Sequence, residues 1–220
     1  MPLPDHTDTD WTLRCLTVGP LMMNAYLLTA PATGAAALVD PGDDPGVLLD
    51  AVEDSGCELT HLLCTHGHFD HISAAAAIQA EVDLPLLVHP DERPLVENLN
   101  GARALYGFPP VTPPRCEWLP ATASGALPFA GEQLRWLLAP GHSPGHLIFP
   151  LGSDALVGDV IFAGSIGRTD LPGGDFDTLA RSIRDLVYTL DEKTVLHSGH
   201  GPATTVGEEM RSNPFVRLDG

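Results

Sequence analysis

The stretch CTHGHFDH, Cys64 to His71, constrains the fold of this chain more than any other part of the sequence. It holds three histidines and an aspartate within six positions, directly after the apolar run LTHLLCT and directly before a run of alanines. An apolar run of this length is typical of a buried strand, so the stretch follows a strand end, where loops collect functional groups. A complete site would need further side chains, and these would have to come from other strands that end at the same edge of the sheet.

The spacing within the stretch predicts two adjoining ligand groups. His66 and His68 lie two positions apart, so in an extended segment their side chains point the same way. Asp70 and His71 follow at the turn into a helix that is predicted to begin near Ile72. Imidazole and carboxylate are the ligands of zinc and similar transition metals, and several in a short stretch lower the cost of ordering a site. We therefore predict a metal site, and not a polar loop with incidental histidines.

Three later segments bring the same side-chain types to predicted strand ends. PGHSPGH places His142 after the run QLRWLLAP, ALVGD ends on Asp159, and TVLHSGHGP carries His197 and His200. Taken singly, each is a weak signal, because a lone histidine is more often a hydrogen-bonded structural residue and a lone aspartate often forms a turn. Their shared position at strand ends makes them candidates for the remaining ligands.

Strand-like and helix-like runs alternate along the chain, which predicts a layered α/β fold with sheets covered by helices. Predicted strands are residues 35–40, 59–65, 84–89, 133–140, 146–152 and 155–159. Predicted helices are residues 47–56, closed by Gly56, residues 71–82, and a helix over residues 179–190 that begins after a cap at Asp175 or Asp177. Residues 107–125 are predicted to be a loop without a domain boundary.

Charge excludes several classes of partner. The formal charge is −18 and Lys193 is the only lysine, so the clustered cations that bind nucleic acid or an anionic membrane are missing. No apolar run is long enough to cross a bilayer, and the start of the sequence is polar and acidic, so a cytoplasmic location is expected. The four cysteines share no close spacing that would make a zinc knuckle or a redox pair.

The ordered set THGHFDH, GHSPGH, GDVIFAG and SGHGP resembles the metallo-β-lactamase fold superfamily, from about Leu13 to Phe215. Within it, GSIGRTDLPGGD and GHGPATTVGEEMRSNPF are similar to segments of short, single-domain glyoxalase II-like (hydroxyacylglutathione hydrolase-like) proteins. The resemblance implies a four-layer αββα sandwich with the metal site at one edge of the two sheets. It also implies a single domain over residues 1–220, without the C-terminal helical domain that binds glutathione in two-domain glyoxalase II.

The same resemblance implies two divalent metal ions per chain, with zinc expected and iron or manganese as alternatives. The implied ligands are His66, His68 and His142 for the first metal, Asp70, His71 and His200 for the second, and Asp159 as a bridge. Asp70 and Asp159 are also the residues expected to serve catalysis. Asp40 would support the site through hydrogen bonds without binding metal. Ser198 stands where the family usually has proline, which leaves a shift of the His200 loop possible.

Three further residues have open roles in the sequence. His146 either lines the substrate pocket or is structural, and His197 is expected to be structural. Arg168 either meets a substrate carboxylate with its planar guanidinium or pairs with Asp170.

The function implied by the resemblance is hydrolysis of S-lactoylglutathione or related hydroxyacyl thioesters, with a metal-bridging hydroxide as the nucleophile. A small-molecule thioester is then the expected partner. The main alternative is a persulfide dioxygenase with a single iron, followed by a lactonase and by a metal-binding scaffold without catalysis. A secreted β-lactamase is disfavoured, because Asp159 stands where many of those enzymes use cysteine. The sequence leaves the oligomeric state open.

Overall fold

The first half of the chain builds one of two six-stranded sheets. The structure is a computed structural model that describes residues 11–217. Successive side chains of a strand point to opposite faces, so in the second strand Ala25 and Leu27 face a helical layer while Tyr26 and Leu28 face the other sheet. In spatial order, the strands are β1 (Thr12–Val18), β2 (Met23–Ala30), β3 (Ala35–Val39), β4 (Glu58–Leu63), β5 (Leu86–Val88) and β6 (Cys116–Trp118).

The second sheet is built from the later half of the chain. Its first four strands form an antiparallel meander, and the next strand pairs in parallel with the last of these four. The strands are β7 (Ser124–Phe129), β8 (Glu132–Leu138), β9 (Leu147–Leu151), β10 (Asp154–Gly158), β13 (Val195–Ser198) and β14 (Thr204–Thr205), with a separate hairpin of β11 (Ile161–Phe162) and β12 (Ser165–Ile166).

Helices cover the outer face of each sheet. They are α1 (Pro45–Ser55), α2 (Phe69–Ile72), α3 (Ala75–Gln79), α4 (Arg93–Glu97), α5 (Leu99–Leu105), α6 (Phe176–Asp185) and α7 (Val206–Ser212), with 3-10 turns at Pro90–Glu92 and Val187–Thr189. Within residues 11–217, none of these helices is long and apolar enough to cross a membrane.

Three apolar layers hold the elements together. One packs α1 to α5 on the first sheet, one lies between the two sheets around Phe129, Trp136 and Phe149, and one packs α6 and α7 on the second sheet. The predicted αββα sandwich is therefore confirmed. Burial of aliphatic and aromatic side chains in all three layers is the main stabilising contribution, at about 25 cal/mol per Å² of apolar surface.

Helix ends follow the predicted signals at α1 and α6. Gly56 closes α1 in the left-handed region, with φ of 67°. Asp175, and not Asp177, caps α6, because its carboxylate accepts the Thr178 N–H at 2.8 Å. The apolar face predicted for residues 179–190 is buried at Leu179, Ile183 and Val187 and half-buried elsewhere, although the α-helix itself ends at Asp185 and a 3-10 turn follows.

Two predicted segments differ from the structure. Residues 71–82 do not form one helix, because α2 begins earlier, at Phe69, and Ser73 and Ala74 separate it from α3. The Ser73 hydroxyl donates to the Phe69 carbonyl oxygen and accepts from Arg103 Nη1, which fixes this break. The predicted loop at residues 107–125 contains β6, which completes the first sheet beside β5. Asp70 and His71 therefore lie within a helical turn and not before one.

Strands of both sheets end at one common edge. Thr65 follows β4, Asp159 follows β10, and Gly199 follows β13. The Asn24 N–H in β2 donates to the Gly199 carbonyl oxygen at 2.7 Å, which ties the two sheets together beside this edge. The candidate ligands that follow these strands are consequently held by both halves of the fold.

Candidate metal centre

The first ligand group consists of three imidazoles, those of His66, His68 and His142. His66 Nε2 and His68 Nδ1 are 3.0 Å apart, His68 Nδ1 and His142 Nε2 are 2.9 Å apart, and His142 Nε2 and His66 Nε2 are 3.2 Å apart. His66 and His142 are buried, and His68 is half-buried. One nitrogen of each ring therefore meets at a single point.

Each ring has a second, outer nitrogen that points away from the common point. Where that outer nitrogen makes a hydrogen bond, the bond shows where the proton sits, and so whether the inner nitrogen carries a lone pair. His142 Nδ1 lies 2.8 Å from the carbonyl oxygen of Arg168, which only accepts, so Nδ1 carries the proton. The Thr65 hydroxyl donates to Asp40 and thus accepts from His66 Nδ1, which is 3.0 Å away. The two Nε2 atoms are left unprotonated and face each other, an arrangement that a cation would stabilise.

The second ligand group is mixed and more exposed. His200 Nε2 lies 3.2 Å from Asp70 Oδ2, and His71 Nε2 lies 3.9 Å from the same oxygen. Asp159 stands between the two groups, with Oδ1 3.6 Å from His71 Nε2 and Oδ2 3.6 Å from His142 Nε2. The bridging position implied for Asp159 is thus available in the geometry.

Unpartnered buried atoms test whether these residues fit metal ions. His71 Nε2 and Asp159 Oδ1 are buried without a hydrogen-bond partner, although buried polar atoms are nearly always paired. His71 and Asp159 form a three-residue cluster with His66 whose ligand atoms lie within 4.8 Å of one another. Nitrogen and carboxylate donors are the set that zinc, iron and manganese accept, so the residues present fit divalent metals.

Burial sets the proton affinities of the first group. Burial lowers the pKa of His66 well below its usual range, and the neighbouring imidazoles lower it further. Burial and His142 lower the pKa of His68 to about 3, and burial lowers the pKa of His142 as well. All three imidazoles are therefore neutral at pH 7, which is the form that binds metal.

Carboxylates reverse this effect in the second group. Burial acts against a charge on His71, but the carboxylates of Asp159, Asp40 and Asp70 outweigh it and raise the pKa of His71 well above its usual range. The pKa of His200 is also raised, because the hydrogen bond to Asp70 and the charge of Asp159 outweigh its burial. In the metal-free protein, protons thus balance the carboxylates of this group.

Comparison with known proteins agrees with this geometry. The profile of the Metallo-beta-lactamase superfamily matches residues 18–200, which include every candidate ligand. The chain belongs to the metallo-β-lactamase superfamily.

Similar proteins within the superfamily include hydrolases and a di-metal protein. Hydroxyacylglutathione hydrolase GloC of Haemophilus influenzae is 36% identical over 187 residues, which cover 82% of this chain and 87% of that protein. The solved structure of TTHA1623 in a di-iron-bound form is 39% identical, with a TM-score of 0.83 over 92% of this chain and 100% of that one. The structure of BLEG-1 B3 metallo-β-lactamase is 37% identical, with a TM-score of 0.83 over 93% and 99%. Membership of this metallo-hydrolase superfamily, together with a relative that is a hydrolase, supports a hydrolase.

Asp40 supports the superfamily site as implied by the sequence. Its carboxyl group accepts from the backbone N–H of Thr65 at 2.6 Å and lies 3.0 Å from His71 Nδ1. The Asp40 backbone has φ of 56°, a left-handed conformation that is rare for a residue with a side chain and is typical of functional sites. The same carboxyl group thereby orients a loop of the first group and a ring of the second.

The buried carboxylate of Glu92 was missed by the sequence interpretation. Its Oε2 accepts the Gly67 N–H at 2.6 Å and its Oε1 accepts the Gly145 N–H at 2.5 Å. Gly67 lies between His66 and His68, and Gly145 follows His142, so Glu92 joins the two loops that carry the first group. In the sequence, Glu92 resembles an ordinary acidic residue at a helix start, and no local signal distinguishes it.

The His200 loop keeps its place despite Ser198. The Ser198 carbonyl oxygen accepts from Asn24 Nδ2 at 3.1 Å and from the Tyr26 hydroxyl at 2.7 Å. The Ser198 hydroxyl donates to the His200 carbonyl oxygen at 2.9 Å. The sequence allows a shift of this loop, but these bonds and the 3.2 Å contact with Asp70 hold His200 at the site.

His146 and His197 belong to neither ligand group. His146 is buried, stacks on His66 with ring centroids 4.7 Å apart, and accepts the Asp159 N–H at Nε2. Of the two roles left open for His146, the substrate contact is not supported, because His146 does not line the pocket among residues 11–217, and its contact with Asp159 fits the structural role. His197 Nε2 pairs with Asp154 at 2.7 Å, away from the metal centre.

An open pocket of about 710 Å³ lies above both ligand groups. Its floor includes His68, Asp70, His142, Asp159 and His200. Arg168 also lines the pocket, but Nε and Nη2 donate to the two carboxylate oxygens of Asp170 at 2.7 and 2.8 Å. Both roles considered for Arg168 are thus compatible with its position, and its charge is already paired.

Proposed function

We propose that the protein is a glyoxalase II-like thioester hydrolase that acts on S-lactoylglutathione or related hydroxyacyl thioesters. The observation that carries this proposal is the pair of adjoining ligand groups with Asp159 between them, on the floor of an open pocket. The similarity to a hydroxyacylglutathione hydrolase supports it. Zinc is the metal proposed, with iron and manganese as alternatives.

Divalent metals bound by these residues would polarise the thioester carbonyl and lower the pKa of coordinated water from about 15.7 towards 7. The residues themselves orient this chemistry. Asp40, the Arg168 carbonyl group and Glu92 hold the ligand-bearing loops and rings in place before substrate arrives. Preorganised charge of this kind stabilises the oxyanion that develops during attack on a carbonyl group.

The chemistry of the leaving group fits a site without a general acid. A thiol has a pKa near 8.5, so a thiolate departs with little proton assistance. The pocket accordingly needs no protonated side chain beside the leaving sulfur. No cysteine lines the pocket in the described part of the chain, and the carboxylates of Asp70 and Asp159 lie on its floor.

Metal content and thioester hydrolysis, measured on one preparation, test the proposal. We expect two metals per chain and hydrolysis of S-lactoylglutathione that a chelator abolishes and added metal restores. The His142→Ala variant is the inactive control, and His197→Ala is the matched histidine variant outside the site. One iron per chain with oxygen consumption on glutathione persulfide would replace the proposal with a dioxygenase, and hydrolysis of a β-lactam alone would replace it with a β-lactamase.

A further inference from the structure

We propose that the pocket selects uncharged thioesters with an apolar chain, in preference to small polar acyl groups on an anionic carrier. This inference concerns the specificity of the metal site and rests on the proposed thioester hydrolysis. It follows from the residues that form the walls of the pocket, which are different from the metal-ligand candidates on its floor.

The walls are apolar and partly exposed. They are formed by side chains of α4 and α5 on one side and of residues 162–172 on the other, including Leu95, Leu105, Tyr106, Phe162, Ile166 and Leu171. Leu105 is 84% exposed and Tyr106 is 50% exposed, although large apolar side chains at such exposure are unfavourable in water. An apolar ligand chain that covers them would remove this surface from water, at about 0.8 kcal/mol for each buried CH₂.

Charge at the walls disfavours an anionic carrier. Arg168 is the one arginine or lysine that lines the pocket among residues 11–217. Its guanidinium group already binds both carboxylate oxygens of Asp170, and its Nη1 lies 3.3 Å from the Tyr106 hydroxyl. Asp91 adds a carboxylate to the lining. A carboxylate on the thiol carrier would therefore find an arginine that is already paired.

The size of the pocket leaves room for such a chain. A volume of about 710 Å³ falls within the range of sites that bury a drug-sized ligand, so it admits a chain well beyond a three-carbon acyl group. An apolar chain attached either to the carbonyl carbon or to the sulfur would meet the same walls. The inference therefore requires an apolar chain on the thioester, and the experiments below determine whether that chain belongs to the acyl group or to the thiol.

Equilibrium binding to the metal-loaded protein tests the walls without relying on turnover. Isothermal titration with the butyl, hexyl and octyl thioethers of N-acetylcysteamine should show Kd falling about fourfold for each added CH₂ that is buried. S-hexylglutathione should bind no tighter than the neutral hexyl thioether. A constant Kd along the series, or S-hexylglutathione binding more than about tenfold tighter, would overturn the inference.

Variants assign the effect to the residues named. Leu105→Asp should flatten the dependence on chain length, whereas Val47→Asp, at an exposed apolar residue outside the pocket, should leave it intact. Asp170→Asn removes the partner of Arg168 and should tighten S-hexylglutathione alone. If Leu105→Asp and Val47→Asp retained equal slopes, the chain would not be bound at these walls.

Hydrolysis of two thioester series then separates the sides of the substrate and the two proposals. One series lengthens the acyl group on N-acetylcysteamine, and the other lengthens the thiol of a lactoyl thioester. We expect kcat/KM to rise in one series and to exceed the value for S-lactoylglutathione. If no thioester is hydrolysed but affinity rises with chain length, the proposed function fails and the apolar specificity stands. If S-lactoylglutathione is the best substrate and the affinities do not change with chain length, the apolar specificity fails and the proposed function stands.

Discussion

The two ligand groups lie side by side yet are held by opposite means. The first group has three neutral imidazoles whose nitrogens approach to about 3 Å, and carbonyl, hydroxyl and carboxylate groups fix their rings and loops. The second group has Asp70 with two histidines, and its charges balance one another. His200 in the second group is also partly exposed.

Because of this difference, we expect the two groups to bind metal with different affinities. In the first group, no proton has to leave before a metal binds, because burial keeps the imidazoles neutral. In the second group, a metal has to displace protons from His71 and His200. We therefore expect the first group to bind metal more tightly at neutral pH.

Replacing the residue shared by both groups should have the largest effect. Asp159→Ala should weaken both metals by more than about a hundredfold each and lower kcat/KM by more than about a thousandfold. Titration of the metal-free variant with zinc, followed by metal analysis, measures this directly. Two tightly bound metals with normal activity would show that Asp159 is not a bridge.

Removing one ligand from each group should separate them. His200→Ala should chiefly weaken the second metal and leave the first within about threefold, whereas His142→Ala should weaken the first by more than about a hundredfold. The readout is the affinity of each metal together with kcat/KM. The comparison would break if both variants lost the same metal.

The carboxylate of Glu92 offers a smaller and more selective test. In Glu92→Gln, the amide oxygen accepts one backbone N–H while the amide NH₂ faces the other, so the first group should bind metal about ten- to a hundredfold more weakly. Glu209→Gln is the matched control, since Glu209 is an equally buried carboxylate that accepts the Gly164 N–H away from the site. Equal metal affinities in the two variants would mean that Glu92 only stabilises the fold.

Acidification should remove the second metal before the first. The pKa values of His71 and His200 are raised, so protons already compete with metal there at neutral pH, and each further fall of one pH unit should lower the metal affinity by about tenfold per proton displaced. The pKa values of His66, His68 and His142 are lowered, that of His68 to about 3, so competition begins only in more acidic solution. Over dialysis at pH 7.5, 6.5 and 5.5, the number of metals bound per chain should fall from two to one, and the rate of hydrolysis should fall in parallel. Simultaneous loss of both metals, or a rate that stays constant to pH 5.5 with metal retained, would contradict this.

The sequence predicted the layers and the ligand edge because both depend on local patterns. Short apolar runs bounded by turn residues indicate where the strands lie, and the histidine and aspartate clusters after them are read directly from the order of residues. The break at Ser73 was not predictable, since the Arg103 side chain that stabilises it comes from thirty residues further along. Helical propensity across the alanines gave no sign of it.

Supporting residues were harder to predict than candidate ligands. Glu92 is distinguished only by what it contacts, the two backbone N–H groups of separate loops. His146 has the same side chain as a ligand, but its burial against His66 and Asp159 depends on how the sheets pack. Such roles arise from tertiary structure and leave no spacing pattern in the chain.

The bonds from Asn24 and Tyr26 to the Ser198 carbonyl oxygen also govern when the site can form during synthesis. The bond from Asn24 joins residues 174 positions apart, so a very long loop must close before it exists. A nascent chain carries His66, His68, Asp70 and His71 well before their partners at the later strand ends emerge. Metal captured at that stage would be held by an incomplete set of ligands, and β2 would still lack its link to the His200 loop. The metal centre therefore cannot be completed before the segment that carries His200 has been synthesised, and synthesis that stalls earlier leaves it open.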